Sequence, residues 1–470
     1  MDDLIRAGGL ALSDAVARKD ISASELMAAT LDRIDRINPD LNAIVSLRDR
    51  DSLMDEARQA EGAERKGWLH GIPIAIKDLS NAKGLPTTMG SPLFAGQVAE
   101  GDSLFVSRLR AAGAIVIGKT NTPEFGLGSQ TYNAVFGATS NPYDRARTCG
   151  GSSGGAAVAL ATGLLSVADG SDMMGSLRNP AGWNNVYGMR PSWGLVPADP
   201  IGDSFLHQLS TAGPMARNPR DLGAMLETMA GPDPRLPHAR GSGSMADIAP
   251  LADGVRIGWL GDWGGAFAYE AGVADLCLRA LQAFGDLGAR VEEIAPPHSA
   301  EAIWRSWTTL RSWQVTTGIE PLYATPASRE RLKPEAIWEV ERGLSYSGME
   351  IHKASVLRSD WFRKAAEVFG QVDVLALPSA QVFPFDKTVE WPRDIAGRQM
   401  DTYHRWMEVM IAASLIGLPV VNVPVGFSEA GLPMGMQLIG PRGSDRRLLE
   451  LAQAWHEATD WPAAQRPPGT

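Results

Sequence analysis

The sequence predicts an α/β protein with a large twisted sheet, mixed but mostly parallel, whose two faces are covered by helices. Three observations support this fold class. Short apolar runs alternate with helical stretches along the chain, which is typical of strands connected by crossover helices. The 470 residues, 44% of them hydrophobic, are enough to bury a large core. No internal repeat is evident, and we therefore expect a single domain over residues 1–470.

Charge and cysteine content exclude several functional classes. A net charge of −10 without any run of Lys or Arg disfavours binding to nucleic acid or to an anionic membrane. The two cysteines, Cys149 and Cys277, are far apart, which predicts neither a disulfide framework nor a metal cluster. No stretch approaches the roughly 18 apolar residues of a membrane span, and no secretory signal is recognisable. We expect a cytoplasmic protein without metal or cofactor.

Residues 1–65 are predicted to form mainly helices. Ser22 and Glu25 have the spacing of a capping box and should start the second of them. A third helix is expected over residues 51–64. Apolar residues recur on one face of the first helix, at Leu4, Ile5, Leu12 and Val16.

Residues 70–220 change to short β-like runs separated by Gly and Pro. Strands are predicted at 71–77, 115–117 and 164–168, with helices at 102–112 and 155–163. A strand–helix–strand pattern then occupies residues 256–295. Residues 371–470 complete the sheet, with strands at 372–377, 419–425 and 434–439 and a closing helix at 445–458.

Residues 300–370 are predicted to be an inserted helical region rich in tryptophan. Trp304, Trp307, Leu310 and Gln314 follow helical spacing, which marks a buried core face more often than a binding site. The alternative is that part of the region lines a substrate entrance and favours bulky apolar or aryl groups.

The first chemically informative segment is the strand that ends at Lys77. Alternation places three isoleucines on one face of this strand and Lys77 on the other. A lysine at a strand end commonly reaches solvent, and the segment alone favours that interpretation. The alternative is a desolvated lysine with a lowered pKa, which can accept a proton.

The second segment, residues 149–155, contains Ser152 and Ser153 among four glycines. The glycines permit positive φ angles and close approach of the backbone. A phosphate-binding loop is disfavoured because the Lys-Ser/Thr of a P-loop is missing. Ser153 fits the Gly-x-Ser-x-Gly elbow of esterases, and a flexible turn before a helix is also compatible with the segment.

The third segment, residues 171–181, places Ser176 shortly before Pro180. Because proline is favoured in the first turn of a helix, Ser176 should lie at a helix N-terminus. Asp172 and Arg178 could form a simple ion pair beside this serine. Backbone N–H groups at such a position can stabilise an oxyanion, and the donors would be those of Met173, Met174, Gly175 and Ser176.

Together and in this order, the three segments resemble the amidase signature hydrolases. The family pattern combines a lysine in G-x-P-x-x-x-K-D, a G-G-S-S-G-G loop and D-x-G-G-S-[IV]-R. Ser152 and Ser176 are 24 residues apart, the interval expected of the family. The likeness covers nearly the whole chain and is weakest over residues 225–370; it continues at residues 141–144, 188–197, 213–217 and 417–437.

The resemblance implies the amidase signature fold and an amidase that works through a covalent acyl-enzyme. Ser176 would attack the carbonyl carbon, and Ser152, held by a cis peptide bond after Gly151, would pass its proton to Lys77. Esters, anilides and carbamates are further candidate substrates. The supporting residues implied are Gly151, Ser153, Asp172 and Arg178.

The chain departs from the family pattern at two positions. Met174 stands where a glycine is usual, and Trp183 stands where a smaller residue is expected. Together with Gln130, both are candidate substrate contacts. We expect Met174 to alter specificity and not to abolish activity, since Gly175 is retained next to Ser176.

Other functions compete with this interpretation. An esterase would use Ser153 with His404 or His456, but residues 139–149 resemble a loop and not the strand that an elbow requires. Residues 80–83 match the short S-x-x-K pattern of penicillin-recognising enzymes, which recurs by chance.

The resemblance also includes the glutaminase subunit of the tRNA-dependent amidotransferase. The tryptophan-rich region and Met174 look more like a free-standing amidase. We expect a small-molecule amide, ester or carbamate substrate, and a monomer or homodimer.

Overall fold

The computed structural model describes residues 6–241 and 243–470. Leu4 and Ile5, predicted on the first helix, lie outside these residues. The described helices are α1 (Gly9–Arg18), α2 (Ala23–Leu41), α3 (Arg50–Gly62), α4 (Leu104–Ala111), α5 (Gly154–Ala161), α6 (Asn179–Trp183), α7 (Pro219–Met229), α8 (Val273–Asp286), α9 (Ala300–Tyr323), α10 (Pro326–Arg329), α11 (Pro334–Ser345), α12 (Gly348–Val368), α13 (Ile411–Leu415), α14 (Asp445–Thr459) and α15 (Trp461–Ala464).

The strands form a main sheet and two smaller sheets. Two 3-10 turns, Glu124–Gly126 and Arg405–Met410, complete the regular structure. The strands are β1 (Ile44–Val45), β2 (Pro73–Lys77), β3 (Ile115–Thr120), β4 (Val167–Asp172), β5 (Tyr187–Arg190), β6 (Thr211–Ala216), β7 (Arg256–Trp259), β8 (Arg290–Glu293), β9 (Val374–Pro378), β10 (Asp394–Ile395), β11 (Arg398–Gln399), β12 (Val420–Phe427) and β13 (Pro433–Ile439).

The main sheet has eight strands in the order β4-β6-β5-β12-β13-β9-β7-β8. Strand β7 pairs in parallel with β8 and with β9. The other five neighbouring pairs are antiparallel. The predicted large mixed sheet is confirmed, but the expectation that it is mostly parallel is wrong. Only β12 and β13 form a hairpin with a short turn, which needs no crossover helix; the other four antiparallel pairs join strands that are distant in the chain.

Sequence patterns alone do not predict β5 and β6. Strand β6 contains Gly213 and Pro214, residue types that are depleted in strands. Its place is decided by its neighbours, because it lies between β4 and β5 and pairs with both. Helices α6, α7, α8 and α14 pack on strands of this sheet. The single-domain division of the chain stays a prediction.

A second sheet, in the order β1-β3-β2, carries the predicted lysine. Strand β2 runs parallel to β3 and places Lys77 opposite Thr120. Every residue of β2 is buried, and Lys77 itself is 0% exposed. The interpretation of Lys77 as a solvent-facing strand-end residue is therefore wrong, because the strand ends inside the protein.

Helix α5 begins directly after the glycine–serine loop and lies very close to its neighbours. A Cβ at Gly155 would come within 2.4 Å of the Asn121 nitrogen and 2.5 Å of the Ala43 oxygen. Only glycine fits this distance, since real Cβ contacts are longer. The close approach holds the start of α5, and the two serines before it, against the sheet that carries Lys77.

Helices α9, α11 and α12 form the helical region predicted for residues 300–370. Trp304, Trp307 and Leu310 are buried on α9. The prediction that this stripe belongs to the core is confirmed for these three residues. Within the described residues, no helix is both long and apolar enough to cross a membrane.

Helix α6 packs against β13 through two glycines. A Cβ at Gly182 would lie 2.3 Å from Ser379 Oγ and 2.9 Å from the Gly435 nitrogen. We expect Gly182→Ala to lower the free energy of unfolding by about 1–3 kcal/mol, because the strand must move to accept the methyl group. Urea denaturation measures this loss.

The matched control is Gly96→Ala, since a Cβ at Gly96 would have no neighbour within 4 Å. Its free energy of unfolding should change by no more than about 0.5 kcal/mol. Equal stability of the two variants would contradict the close packing of α6.

Candidate active site

Three chain segments bring a lysine and three serines together. Lys77 lies at the end of β2, Ser152 and Ser153 precede α5, and Ser171 lies near the end of β4. Lys77 Nζ is 2.7 Å from Ser152 Oγ, 2.9 Å from Ser153 Oγ and 3.0 Å from Ser171 Oγ. The structure thus joins residues separated by more than ninety positions into one buried hydrogen-bond cluster.

The electrostatic environment of Lys77 suits a proton acceptor. Burial lowers the pKa of Lys77 to about 7, although the carboxylates of Asp169 and Asp172 act in the opposite direction. Asp169 also accepts a hydrogen bond from the Lys77 backbone N–H at 3.1 Å. A substantial fraction of neutral amine is therefore present near neutral pH.

The glycine–serine loop is held in one conformation by several contacts. The Gly151–Ser152 peptide bond is cis, as the resemblance implies. Asn179 Oδ1 accepts from the Gly151 N–H at 3.2 Å, and Thr131 Oγ1 donates to the Gly150 oxygen at 2.8 Å. The bond to Asn179 connects the loop to α6, which follows the turn of Ser176.

Asp172 organises the turn that carries Ser176. Its carboxylate accepts from the N–H groups of Gly175 at 2.8 Å and Leu177 at 3.1 Å. Arg178 donates to the same carboxylate at 2.9 Å and 3.0 Å. Burial alone would raise the pKa of Asp172, but the charges of Arg178 and Arg190 hold it well below its ordinary value. Asp172 is thus ionised and stabilises the turn.

The oxyanion donors need one correction. The Gly175 N–H already donates to Asp172, so it does not point to a substrate oxygen. Among the described residues, the N–H groups of Met173, Met174 and Ser176 donate to no protein acceptor. Gly175 has a φ of 91°, whereas Met174 has no positive φ. The turn therefore needs glycine only at position 175, which explains why methionine is accepted at 174.

A cavity of about 370 Å³ opens beside the serines. Ser176 is 6% exposed, and its hydroxyl makes no hydrogen bond to the described protein. Arg311 and several apolar side chains close the cavity on other sides. The lining residues are Leu79, Met89, Phe125, Gly126, Leu127, Ser152, Ser171, Met173, Ser176, Ser210, Arg311, Gln314, Val315, Gly318 and Ile319.

The three predicted substrate contacts lie outside this lining. Met174 is buried in the core, and the neighbouring Met173 faces the cavity instead. Trp183 is fully buried and stacks on Trp406, 6.0 Å between ring centroids. Gln130 is buried too and donates to the Lys387 oxygen at 2.8 Å. The turn directs Met174 into the core and α6 directs Trp183 there, whereas Gln130 is held by its bond to Lys387.

No group of three or more His, Cys, Asp or Glu side chains in residues 6–241 and 243–470 is arranged to hold a metal ion. The charged groups at the site serve the lysine and the turn instead. A second buried lysine, Lys119, pairs with Asp78 at 3.4 Å next to this cluster and donates to the Ser80 oxygen at 2.6 Å.

The comparison with known proteins decides the family. The family model described as Amidase matches residues 25–449. This chain belongs to the amidase signature family.

Relatives and a solved structure agree with this assignment. A glutamyl-tRNA(Gln) amidotransferase subunit of Thermus thermophilus is 34% identical, over 94% of this chain and 95% of its own length. Acylamidase of Rhodococcus erythropolis is 32% identical, over 96% and 95%. A bacterial aryl acylamidase of the amidase signature family superposes with a TM-score of 0.90 at 28% identity, covering 97% of this chain and 98% of its own. The protein is an amidohydrolase.

In this amidase, Ser153 is not placed as an esterase nucleophile. Ser153 is fully buried, and its hydroxyl contacts Lys77 and Ser171. Among the described residues, neither candidate histidine reaches it. His404 is surrounded by aromatic rings, and His456 packs on Tyr187.

The sequence did not identify four residues as part of the amidase site: Asp169, Ser171, Arg311 and Gln314. Asp169 and Ser171 are two positions apart on β4 and share one face of the strand. A carboxylate within a buried strand is unusual, and this could have marked Asp169 as a candidate site residue. Nothing in the sequence marks Arg311, because its position depends on how α9 lies across the cavity.

The pKa of Lys77 predicts the pH dependence of this amidase. We expect the neutral amine to act as the base, so kcat/KM should rise with pH, reach half of its maximum near pH 7 and then level off. Asp169→Asn removes a negative charge that favours the protonated amine, so the rising limb should move to lower pH. A pH profile of kcat/KM measures both.

The control for the pH profile is Asp373→Asn. Asp373 pairs with Arg256, the first residue of β7, and does not line the cavity. It should leave the midpoint unchanged. A midpoint that stays fixed in Asp169→Asn as well would show that Asp169 does not act on Lys77.

Proposed function

We propose that Ser176 is the nucleophile of this amidohydrolase, Ser152 the proton relay and Lys77 the base. Ser176 Oγ attacks the carbonyl carbon while its proton moves to Ser152 and the Ser152 proton moves to Lys77. The C–N bond then breaks, and the proton returns through Ser152 to the leaving nitrogen. Water cleaves the acyl-enzyme by the same route.

The observation that carries this proposal is the contact between Lys77 Nζ and Ser152 Oγ, 2.7 Å long, at the wall of the cavity that Ser176 also lines. A buried amine with a lowered pKa is partly neutral, so it can accept the proton of a neighbouring hydroxyl directly. Ser152 and Ser176 share no direct hydrogen bond in the described structure. Catalytic hydrogen bonds commonly tighten only when substrate is bound.

We assign the oxyanion to the free N–H groups of Met173, Met174 and Ser176. They lie on the turn that Asp172 and Arg178 hold, so they need little reorganisation during the reaction. Ser153 and Gly151 support the relay: Ser153 shares Lys77 with Ser152, and a Cβ at Gly151 would lie 2.9 Å from the Gln130 nitrogen.

The preferred substrates are amides with apolar or aryl groups, with anilides, esters and carbamates as further candidates. Apolar side chains line much of the cavity, including Leu79, Phe125, Val315 and Ile319. Such a surface favours substrates with apolar area to bury. The TM-score of 0.90 with an aryl acylamidase agrees with this preference.

A glutaminase subunit of an amidotransferase is the second candidate, because an amidotransferase relative is 34% identical. The apolar cavity disfavours glutamine, whose ammonium and carboxylate would lose their hydration on entering it. Ammonia release from glutamine only after partner proteins are added would favour this second function.

We place the enzyme in the cytoplasm, as a monomer or homodimer. Cys149 and Cys277 are both buried and unpaired. Burial raises the pKa of the Cys149 thiol to about 12, so the thiol stays protonated and unreactive. Unpaired thiols agree with a reducing compartment.

We expect a fluorophosphonate probe to label Ser176, because its hydroxyl is open to the cavity and lies next to the relay. Ser176→Ala should abolish labelling and amide turnover. Ser210→Ala is the control, since Ser210 lines the same cavity outside the lysine cluster, and it should keep both. Peptide mapping measures the adduct; an adduct on Ser153 would overturn the assignment.

Lys77→Ala should lower kcat/KM for an anilide by about 10²–10⁴-fold, because proton transfer to the leaving nitrogen is lost. The loss for an ester of the same acid should be smaller, since an alkoxide leaves more readily than an amide anion. The ratio of the two rates is the measurement. Equal losses for both substrates would contradict the role of Lys77 in protonating the leaving group.

A further inference from the structure

One face of helix α9 forms a wall of the active-site cavity. The residues on it are spaced three and four positions apart, which places them in one row along a helix. The end of the row nearest the turn of Ser176 is polar, and the other end is apolar or small. The residues are Arg311, Gln314, Val315, Gly318 and Ile319.

Arg311 is fixed in one orientation by its neighbours. Its Nε donates to Glu339 Oε1 at 2.7 Å, and one terminal nitrogen donates to Tyr403 Oη at 2.8 Å. The guanidinium also lies over the Trp307 ring, 5.1 Å from its centroid. With these contacts, little side-chain entropy is left to lose on binding a ligand.

Arg311 lines the cavity, and its other terminal nitrogen, Nη1, is the one guanidinium nitrogen that donates to no oxygen among the described residues. Its one contact in the described structure is the Met173 thioether sulfur, at 3.0 Å. A thioether is a weak acceptor, so this donor is poorly satisfied. One helical turn away, Gln314 Oε1 is buried without any hydrogen-bond partner. A buried donor and a buried acceptor on one wall are costly unless a ligand completes them.

We propose that Arg311 and Gln314 form a subsite for a second, uncharged amide-type group in the acyl part of the substrate. The carbonyl of that group accepts from Arg311 Nη1, and its N–H donates to Gln314 Oε1. The substrate class is thus acylamino amides and related compounds with two carbonyl groups, in preference to simple alkyl amides. This preference rests on the function proposed above for Ser176.

The charge balance favours an uncharged group over a carboxylate. Glu339 is fully buried and accepts from Arg311, from Ser312 Oγ and from Tyr403 Oη. The Arg311–Glu339 pair is therefore neutral as a unit. On binding, a carboxylate would lose its hydration and gain only one hydrogen bond, from a guanidinium whose charge Glu339 already compensates. A carbonyl group loses much less hydration.

The position of Arg311 favours the acyl side of the scissile bond. Arg311 contacts Met173, which begins the turn that binds the developing oxyanion. The leaving nitrogen must face Ser152, which returns the proton. Gly126 and Leu79 lie beside Ser152: a Cβ added at Gly126 would lie 3.5 Å from Ser152 Oγ and 2.7 Å from Leu79 Cδ1. The leaving group therefore departs toward that wall, and the acyl group extends toward α9.

Three 4-nitroanilides test the subsite: acetylglycyl, pentanoyl and succinyl. The first two have acyl chains of similar length, but only acetylglycyl offers the second amide; succinyl offers a carboxylate. We expect kcat/KM for acetylglycyl to exceed that for pentanoyl by about 10- to 100-fold, the range of a hydrogen bond to a charged donor. Succinyl should be cleaved no faster than pentanoyl.

Two variants assign the preference to the proposed residues. Gln314→Leu removes the acceptor and leaves the Arg311–Glu339 ion pair intact. Arg311→Met combined with Glu339→Gln removes the donor without leaving a buried charge unpaired. Each should reduce the acetylglycyl-to-pentanoyl ratio, and because the ratio is measured within one variant, a general loss of activity cancels. If the double variant does not fold, Gln314→Leu alone decides.

The matched control is Gly318→Ala, on the same helix face. A Cβ there would meet no atom within 4 Å, so the methyl group narrows the cavity without touching the polar pair. It should leave the acetylglycyl-to-pentanoyl ratio unchanged. A ratio near one in the wild type, or faster cleavage of the succinyl substrate, would overturn the subsite. Failure of all three substrates together with absent labelling of Ser176 would instead overturn the proposed function.

Discussion

The buried amine of Lys77 is the constraint on which the site depends. An amine removed from water must either lose its charge or find compensating partners, and here both occur in part. Burial favours the neutral form, Asp169 and Asp172 oppose it, and three serine hydroxyls surround the nitrogen. The resulting pKa near 7 keeps the amine between its two forms, which is the condition for a group that must both accept and return a proton.

The Asp172 carboxylate has the complementary task of holding the turn of Ser176, the proposed nucleophile. It binds two backbone N–H groups and the side chain of Arg178, and Arg178 also contacts the Met410 oxygen. These bonds leave the adjacent N–H groups unsatisfied toward the cavity. Stability of the turn and availability of the proposed oxyanion donors therefore have the same cause. On α9, Arg311 Nη1 and Gln314 Oε1 are a second pair of poorly satisfied polar groups.

Specificity and catalysis come from different parts of the fold. Lys77 and the serines lie on the two sheets and the loop before α5, where glycines allow close packing. One wall of the cavity is provided by helix α9, with Arg311 held by the buried Glu339. We therefore expect that a change on α9 can alter the substrate preference without disturbing the proposed proton relay.

The sequence by itself determined the family, the serine pair 24 residues apart and most of the strands and helices, because glycine spacing and apolar periodicity are local properties. It did not determine the antiparallel pairing of the main sheet or the strand β6, which depend on neighbours distant in the chain. It also predicted Met174, Trp183 and Gln130 as substrate contacts although all three are buried outside the cavity lining, since the direction of a side chain is decided by what packs against it. Only the tertiary structure brought Asp169 to Lys77 and Arg311 to the cavity, because burial and charge compensation exist only once the chain has folded.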